Sequence, residues 1–516
     1  MPATPDPEVA RLACSVLMPG FSGTKVPGWL AEAARMGLGG VCLFAGNVGD
    51  DVSTLTGELH DIRPELLVAS DEEGGEVTRL EAAAGSSWPA HAALGRLDDV
   101  DTTRRIARAI GRQSRAAGID LVLAPDVDVT SNPDNPVIGL RSFGTDPALV
   151  GRHAAAFVEG LHQAGVAGCA KHFPGHGDTR TDSHLGLPVI DADTETLRRR
   201  DLPPFAAAVA AGVDAVMTAH VVFAALDSAP ATLSPTVLGV LRDELGFGGV
   251  IISDALDMEA ISAGVGRGPG AVLALAAGVD LVCIGNPNHL TAYDDEAAFL
   301  EVHDAIVEAV GAGRLSTARL EEAARRVTTL AHGVAERRRK QDLDGGGGRA
   351  DGTGGDEAAG AVEASGSTQE LALSVARRVL EAHGSPRVAV TPLHLLDLRG
   401  SPNIAAGPRP SGILAALRRR LGDVTVHHVT AQPETLFALT RALAEAEGSS
   451  LVVLTASPHR STGRQGLLDT VVRARPDAVV IATGLPDRRD RLGEHWVRTW
   501  GDSQPTGAAV AALLLD

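Results

Sequence analysis

Residues 166–184 read VAGCAKHFPGHGDTRTDSH. The apolar run that opens this stretch breaks at Lys171 and His172 into a loop of glycines, histidines and aspartates. An apolar run this short suits a strand buried on both faces, and the polar break marks where such a strand leaves the core. Seven more stretches are built the same way: LACSVLMPG (12–20), GVCLFAG (40–46), LLVASDEEG (66–74), LVLAPDVDV (121–129), DAVMTAH (214–220), GVIISDALDM (249–258) and VDLVCIGNP (279–287).

Between them lie amphipathic stretches such as TLRRRDLPPFAAAVAAG (196–212) and SPTVLGVLRDELG (234–246). In the second, Ser234 is placed to cap a helix that Pro235 opens. Eight strand–helix units over residues 1–341 predict an α/β fold, a (β/α)8 TIM barrel with insertions. An open doubly wound sheet is the competing arrangement of the same units. In a barrel the C-terminal ends of the strands meet on one face, and the active site sits there. The residues at those ends include Asp71, Asp126, Lys171 with His172, His220, Asp254 and Asn286. One polar residue closing a strand is ordinary turn chemistry, whereas this succession predicts a converging polar set.

Residues 342–367, DLDGGGGRADGTGGDEAAGAVEASGS, hold little but Gly, Ala and acidic residues. Such a composition buries too little surface to order itself and reads as an inter-domain linker. Behind it, residues 368–516 predict a smaller three-layer α/β sandwich. QELALSVARRVLEAHG (369–384) has a helical pattern, and RVAVTPL (387–393), DVTVHHV (423–429), SLVVLTA (450–456) and DAVVIATG (477–484) have strand patterns.

The bulk numbers narrow the function. A chain of 516 residues exceeds one core. A formal charge of −19 argues against a nucleic-acid partner and against docking on an anionic membrane. The N-terminus lacks the basic and long apolar regions of a signal peptide, and no run approaches the roughly 18 apolar residues of a membrane span. Cys14, Cys42, Cys169 and Cys283 stand singly, with neither metal spacing nor a disulfide framework. These features predict a soluble protein of a reducing cytoplasm.

The loop Lys171–His184 admits three readings. It could bind a metal through His172, His176, Asp178, Asp182 and His184, although the spacing matches no helical ligand pair. It could carry acid/base chemistry, with Asp182 fixing the tautomer of His184 two residues on and stabilising its imidazolium. Or it could be a structural loop. Asp254 is a carboxylate at the end of a buried strand, which suits a helix N-cap or a carboxylate nucleophile. Asp257, one turn further, suits the second role less well. In SDEEGGEVTRL (70–80), Asp71 and Arg79 could hold sugar hydroxyls; in NPVIGLRSFG (135–144), Arg141 by itself reads as a salt-bridge residue.

Together these motifs resemble family 3 glycoside hydrolases, and within them β-N-acetylglucosaminidases of NagZ type. The resemblance runs over residues 1–335: LMPGF, DEEGGEVTRL, LAPDVDV, IGLRSFG, KHFPGHGDTRTDSH, MTAHV with PATLS, and SDALDM. The KHFPGHG-to-DSH element is the specific mark. In that subfamily this loop supplies the acid/base, in place of the carboxylate used by other members. The resemblance implies Asp254 as nucleophile, His184 as general acid/base and Asp182 as its partner. It implies Asp71, Arg79, Arg141, Lys171 and His172 as ligands of a non-reducing-end N-acetylglucosamine, with His176 shaping the loop. The domain after the barrel resembles the second domain of longer members, which in other branches lends the acid/base residue.

The implied reaction is a retaining hydrolysis in two steps that calls for no metal or organic cofactor. Muropeptide or chitin-derived oligosaccharides are the implied substrates. The same site would suit phosphate as second-step acceptor, since a neutral histidine does not repel it as a carboxylate would. A β-glucosidase or β-xylosidase fits the DSH loop less well, and a silent sugar-binding protein would not need both Asp254 and His184.

Overall fold

Each of the eight apolar runs contains a strand: β1 Leu17–Pro19, β2 Gly40–Leu43, β3 Leu67–Ser70, β4 Leu121–Val122, β5 Ala167–Phe173, β6 Ala215–Thr218, β7 Val250–Ser253 and β8 Val282–Ile284. The computed structural model describes residues 6–49, 51–183, 185–285, 293–345, 356–388, 392–400, 410–430 and 435–516. Strands β2 to β7 pair side by side in sequence order, and β8 pairs with β1. Parallel bridges Ile252↔Leu281 and Gly20↔Cys42 join β7 to β8 and β1 to β2. A ring of parallel strands in sequence order is the (β/α)8 barrel; a doubly wound sheet would stay open and reverse its order at a switch point.

The barrel interior is packed. Leu67 and Ala69, Leu121 and Leu123, Ala167 and Cys169, Ala215 and Met217, Val250 and Ile252, and Leu281 and Cys283 all enter one buried cluster. The spacing of two within each pair is the alternation that sends every second strand residue inward. Val327, Leu330, Ala331 and Val334 of the helix Thr317–Gly345 join the same cluster. Their i, i+3, i+4, i+7 spacing forms one helical stripe, which closes the barrel from below.

That closure is also ionic. Asp120, Asp214 and Asp280 stand just before β4, β6 and β8, and each accepts a backbone N–H of the preceding strand region. Val68 donates to Asp120 at 2.9 Å, Gly168 to Asp214 at 3.0 Å and Ile251 to Asp280 at 3.0 Å. Each carboxylate also meets the closing helix: Arg338 pairs with Asp120 at 2.7 Å, Arg337 with Asp214, and Arg319 with Asp280 at 2.7 Å. Burying a carboxylate costs several kcal/mol even after relaxation. Asp280, whose side chain is 0% exposed, therefore needs the further guanidinium groups of Arg242 and Arg326.

The boundary residues differ from the sequence pattern in places. In run 12–20 the first half ends a helix, Pro7–Ser15, capped by Asp6. Ser234 caps the helix opened by Pro235, as its position predicts. Of the stretch 342–367, the closing helix takes residues through Gly345, residues 346–355 lie outside the described ones, and a helix resumes at Asp356–Val379.

The chain divides into two units. The first comprises Met1–Glu73, Val100–Pro136 and Gly144–Gly354; the second comprises Gly74–Asp99, Val137–Phe143 and Gly355–Asp516. The second unit thus includes two pieces of the N-terminal half, which a single cut at residues 342–367 does not anticipate.

Its sheet has strands β9 Glu381–His383, β10 Leu393–Asp397, β11 Val424–His428, β12 Ser450–Thr455, β13 Val479–Ala482 and β14 His495–Arg498. The order is β9-β14-β13-β12-β10-β11, antiparallel only between β9 and β14. Alternate residues serve two cores: Leu393, Leu395, Val452, Leu454, Val479 and Ile481 face the helices Gly412–Leu421 and Gln504–Leu515. Leu396, Leu451, Val453, Val480 and Ala482 face the helices Thr435–Glu445 and Thr462–Ala474. Two cores on two faces make the expected three-layer sandwich. Of the strand expected at 387–393, residues 389–391 lie outside the described ones and the described strand is Leu393–Asp397; the helix expected through 384 stops at Val379, where the chain turns into edge strand β9. Strand β14 has no clean alternation in sequence because three of its four residues are only half-buried.

Candidate active site

The C-terminal ends of the barrel strands gather charged side chains in the first unit. At the end of β5, the Lys171 side chain is 2% exposed, and its Nζ lies 2.7 Å from Asp71 Oδ1 and 2.8 Å from Glu73 Oε1. A buried ammonium is costly unless paired, and two carboxylates from just beyond β3 supply the pairing. Asp71 is the more accessible of the two acids, at 17% against 2% for Glu73.

His172 is oriented by Asp128, whose Oδ2 lies 2.8 Å from Nδ1. The other oxygen of Asp128 accepts the backbone N–H of His176 at 2.6 Å. Burial alone would raise the Asp128 carboxyl, but the neighbouring His172 and His176 hold it below its ordinary value. Sequence reading stopped at Asp126. The signal for Asp128 is its place two residues on, which puts both aspartates on one side of extended chain.

The histidine loop is pinned to the chain after β4. Asn135 donates to the His176 carbonyl at 2.8 Å. A Cβ on Gly177 would stand 1.8 Å from the Val129 carbonyl oxygen, so only glycine fits there. The His176 ring lies between Thr179 Oγ1, 2.9 Å from Nδ1, and Ser183 Oγ, 3.0 Å from Nε2. Burial pushes its pKa down to about 4, so the ring is neutral near pH 7. His176 therefore shapes the loop. Asp182 and Ser183 at the loop's end are buried. His184 lies outside the described residues.

Asp254 follows β7 and is half-buried. It caps no helix: the next one, Glu259–Ser262, starts after Met258. Its Oδ1 accepts the N–H of Ala255 at 2.8 Å. His220 braces this turn, with Nε2 3.0 Å from the Ala255 carbonyl oxygen and Nδ1 2.8 Å from Thr232 Oγ1. The carbonyl acceptor assigns the ring proton to Nε2. The loop ends also meet: Ala260 N–H donates to the Ser183 carbonyl at 3.4 Å, and the Asp254 charge reaches His176. Asp257, by contrast, is bound at 2.6 Å by both Arg267 Nη1 and Tyr293 Oη, with its side chain 3% exposed.

Arg79 and Arg141 belong to the second unit, where both are buried, at 5% and 6% exposure. His91 Nδ1 donates to the Arg141 carbonyl at 2.6 Å, and the His91 ring stacks on Phe143 with centroids 4.3 Å apart. Asn286 lies outside the described residues.

Of the side chains raised as metal ligands, His176 has both nitrogens bonded within its loop, and Asp178 pairs with Arg200 at 2.9 Å. Among the described residues, Asp126, Asp128 and His172 have ligand atoms within 4.8 Å of one another. The Asp128–His172 hydrogen bond accounts for part of that closeness, because it engages the Nδ1 atom that would coordinate.

The arrangement offers a reachable carboxylate at Asp254, an oriented imidazole at His172 and a Lys171–Asp71 pair for hydroxyl groups. Comparison with known proteins is consistent with such chemistry. The family model "Glycosyl hydrolase family 3 N terminal domain" matches residues 29–330. The chain is 34% identical over 334 residues to beta-hexosaminidase A of Pseudoalteromonas piscicida, covering 60% of this chain and 55% of that protein's length. It is 38% identical over 287 residues to a beta-hexosaminidase of Xylella fastidiosa (strain 9a5c), covering 53% of this chain and 84% of the relative. A solved glycoside hydrolase family 3 beta-N-acetylglucosaminidase from Paenibacillus sp. str. FPU-7 superposes with a TM-score of 0.80 at 30% identity, covering 98% of this chain and 96% of that one.

Proposed function

The chain belongs to glycosyl hydrolase family 3, and from that premise we propose that it is a retaining exo-β-N-acetylglucosaminidase. Asp254 attacks the anomeric carbon of a terminal N-acetylglucosamine while His184, as imidazolium, protonates the departing oxygen. The glycosyl–Asp254 ester is then hydrolysed by a water that neutral His184 deprotonates. Asp182 steadies the imidazole. The transition state is oxocarbenium-like, so the Asp254 anion stabilises it. Lys171, Asp71, His172, Arg79 and Arg141 bind the sugar.

The observation that carries this reading is the state of Asp254. It is a half-buried carboxylate at the C-terminal end of β7, on the face where barrel active sites lie, and it caps no helix, whereas the Asp257 side chain is 3% exposed and bound by Arg267. A carboxylate tied to a guanidinium is a poor nucleophile. The names of the Pseudoalteromonas, Xylella and Paenibacillus relatives support the sugar.

We place the substrates among muropeptide or chitin-derived oligosaccharides, and the enzyme in the cytoplasm. The four cysteines are buried free thiols, in keeping with a reducing compartment. Among the described residues no helix is long and apolar enough to cross a membrane.

The test is release of p-nitrophenol from p-nitrophenyl N-acetyl-β-D-glucosaminide, with the glucoside and xyloside alongside and phosphate added to one arm. Preferential turnover of the N-acetylglucosaminide, giving free sugar in both arms, is the expected result. A sugar 1-phosphate as product would replace hydrolysis by phosphorolysis, and no turnover of any glycoside would overturn the reading.

A further inference from the structure

The segments Gly74–Asp99 and Val137–Phe143, which carry Arg79 and Arg141, are held in the second unit by residues from the far end of the chain. The Gln504 backbone N–H donates to the Ser86 carbonyl at 2.9 Å, and its side-chain Nε2 donates to the Gly85 carbonyl at 2.7 Å. Trp500 and Leu485 pack against Ala90, Ala92 and Leu140. Arg96 lies over the Trp500 ring at 5.6 Å and pairs with Glu381 at 3.2 Å. The Arg460 guanidinium lies against Gly139, where a Cβ would stand 3.5 Å from it.

Val137–Phe143 has only seven residues, with one turn at Gly139–Arg141. A peptide so short cannot fix its own backbone, so its shape is set by what packs on it. Trp500 is the contact that comes at a conformational cost. Its φ is 56°, in the left-handed region that a bulky side chain adopts only when its surroundings over-determine it. Its indole Nε1 is buried and meets no acceptor among the described residues. Both unfavourable features accompany the placing of this ring on Leu140, next to Arg141.

We propose that Trp500, assisted by Gln504 and Arg460, is a positioning residue, and that the C-terminal domain serves the reaction by fixing the backbone that carries Arg141 and Arg79. This rests on the proposed sugar-binding role of those arginines. In this proposal the part of the domain is mechanical. It supplies the rigidity that substrate-holding arginines need, since small misplacements of such groups are costly in rate.

The test uses the full chain and p-nitrophenyl N-acetyl-β-D-glucosaminide. Trp500→Ala is expected to raise KM about ten-fold with kcat little changed, the signature of lost uniform binding. Trp500→Phe, which refills most of the space, is expected to restore KM. In an Arg141→Ala background the Trp500→Ala effect is expected to disappear, because coupled residues are not additive. An unchanged KM in Trp500→Ala, or an equal effect in both backgrounds, overturns the proposal. Should Trp500→Ala not fold, Gln504→Ala carries the same test against an Arg79→Ala background. Wild-type protein that turns over no N-acetylglucosaminide would sink the proposed function and this inference with it. Wild-type turnover with KM unmoved in the variants sinks the positioning role alone.

Discussion

Lys171 Nζ stands 2.7 Å from Asp71 Oδ1, joining the end of β5 to the chain just beyond β3. With Glu73 on its other side, the lysine holds two carboxylates that would otherwise repel each other. Lys171→Met would remove the buried ammonium from between the two acids, and breaking a buried pair costs about 3–5 kcal/mol. We expect a fall in Tm, measured by calorimetry, together with a large loss of kcat/KM. Asp71→Asn keeps the shape and removes one charge. It should keep most of the stability and raise KM, so the two variants separate sugar binding from folding.

Asp254 and Asp257 are three residues apart, and the structure gives them different surroundings. Asp254→Ala should abolish turnover by at least about 10³-fold, as expected for loss of a covalent nucleophile. Binding of N-acetylglucosamine, followed by calorimetry, should survive. Asp257→Ala removes a buried acceptor shared by Arg267 and Tyr293, and its main effect should be a lower Tm. Turnover retained in Asp254→Ala would remove it from the mechanism.

His184→Ala is expected to slow substrates with poor leaving groups more than activated aryl glycosides, because only the former need the proton. Comparing chitobiose with p-nitrophenyl N-acetyl-β-D-glucosaminide checks this. Equal losses on both would count against an acid role.

How far the sequence reaches is visible at particular residues. The barrel was legible because its strands are buried on both faces and end in polar residues. Asp254, Lys171 and His172 stood out at those ends. Asp128 did not, since its importance comes from bonds to His172 and His176 made across strands. The aspartates under the barrel were equally silent, for Asp214 reads as a turn residue until Arg337 and His162 are brought to it. Nor could spacing show that the segments bearing Arg79 and Arg141 are held by Trp500 and Gln504, more than 350 positions away in sequence. Strand β14 was missed because half-buried residues blur its alternation.

His176 gives the fold a pH dependence. Its folded pKa is about 4, against an unfolded value near 6.5. The unfolded chain then binds the extra proton between those values, so stability is full above about pH 6.5 and declines as pH falls toward 4. His176→Gln should flatten that part of a denaturation profile measured by urea titration at a series of pH values. A slope unchanged in the variant would mean that another group titrates there.

Asp214 contributes with the same direction at lower pH, for a different reason. Burial would raise its carboxyl, but His162 and Arg337 outweigh that and hold it below its ordinary value. A depressed folded pKa stabilises the protein above the unfolded value, near 3.9, and that stability is lost as pH falls through the folded value. Arg337 sits on the helix Thr317–Gly345, whose apolar stripe closes the barrel. Arg337→Ala should therefore release that helix locally as well as weaken the fold, by about 3 kcal/mol if the buried carboxylate is left poorly paired. Hydrogen exchange is the direct readout. Faster exchange concentrated in residues 327–337, with the strands less affected, is the expected result. Uniform acceleration over the barrel would show that the ion pair stabilises the whole domain and does not fasten the helix.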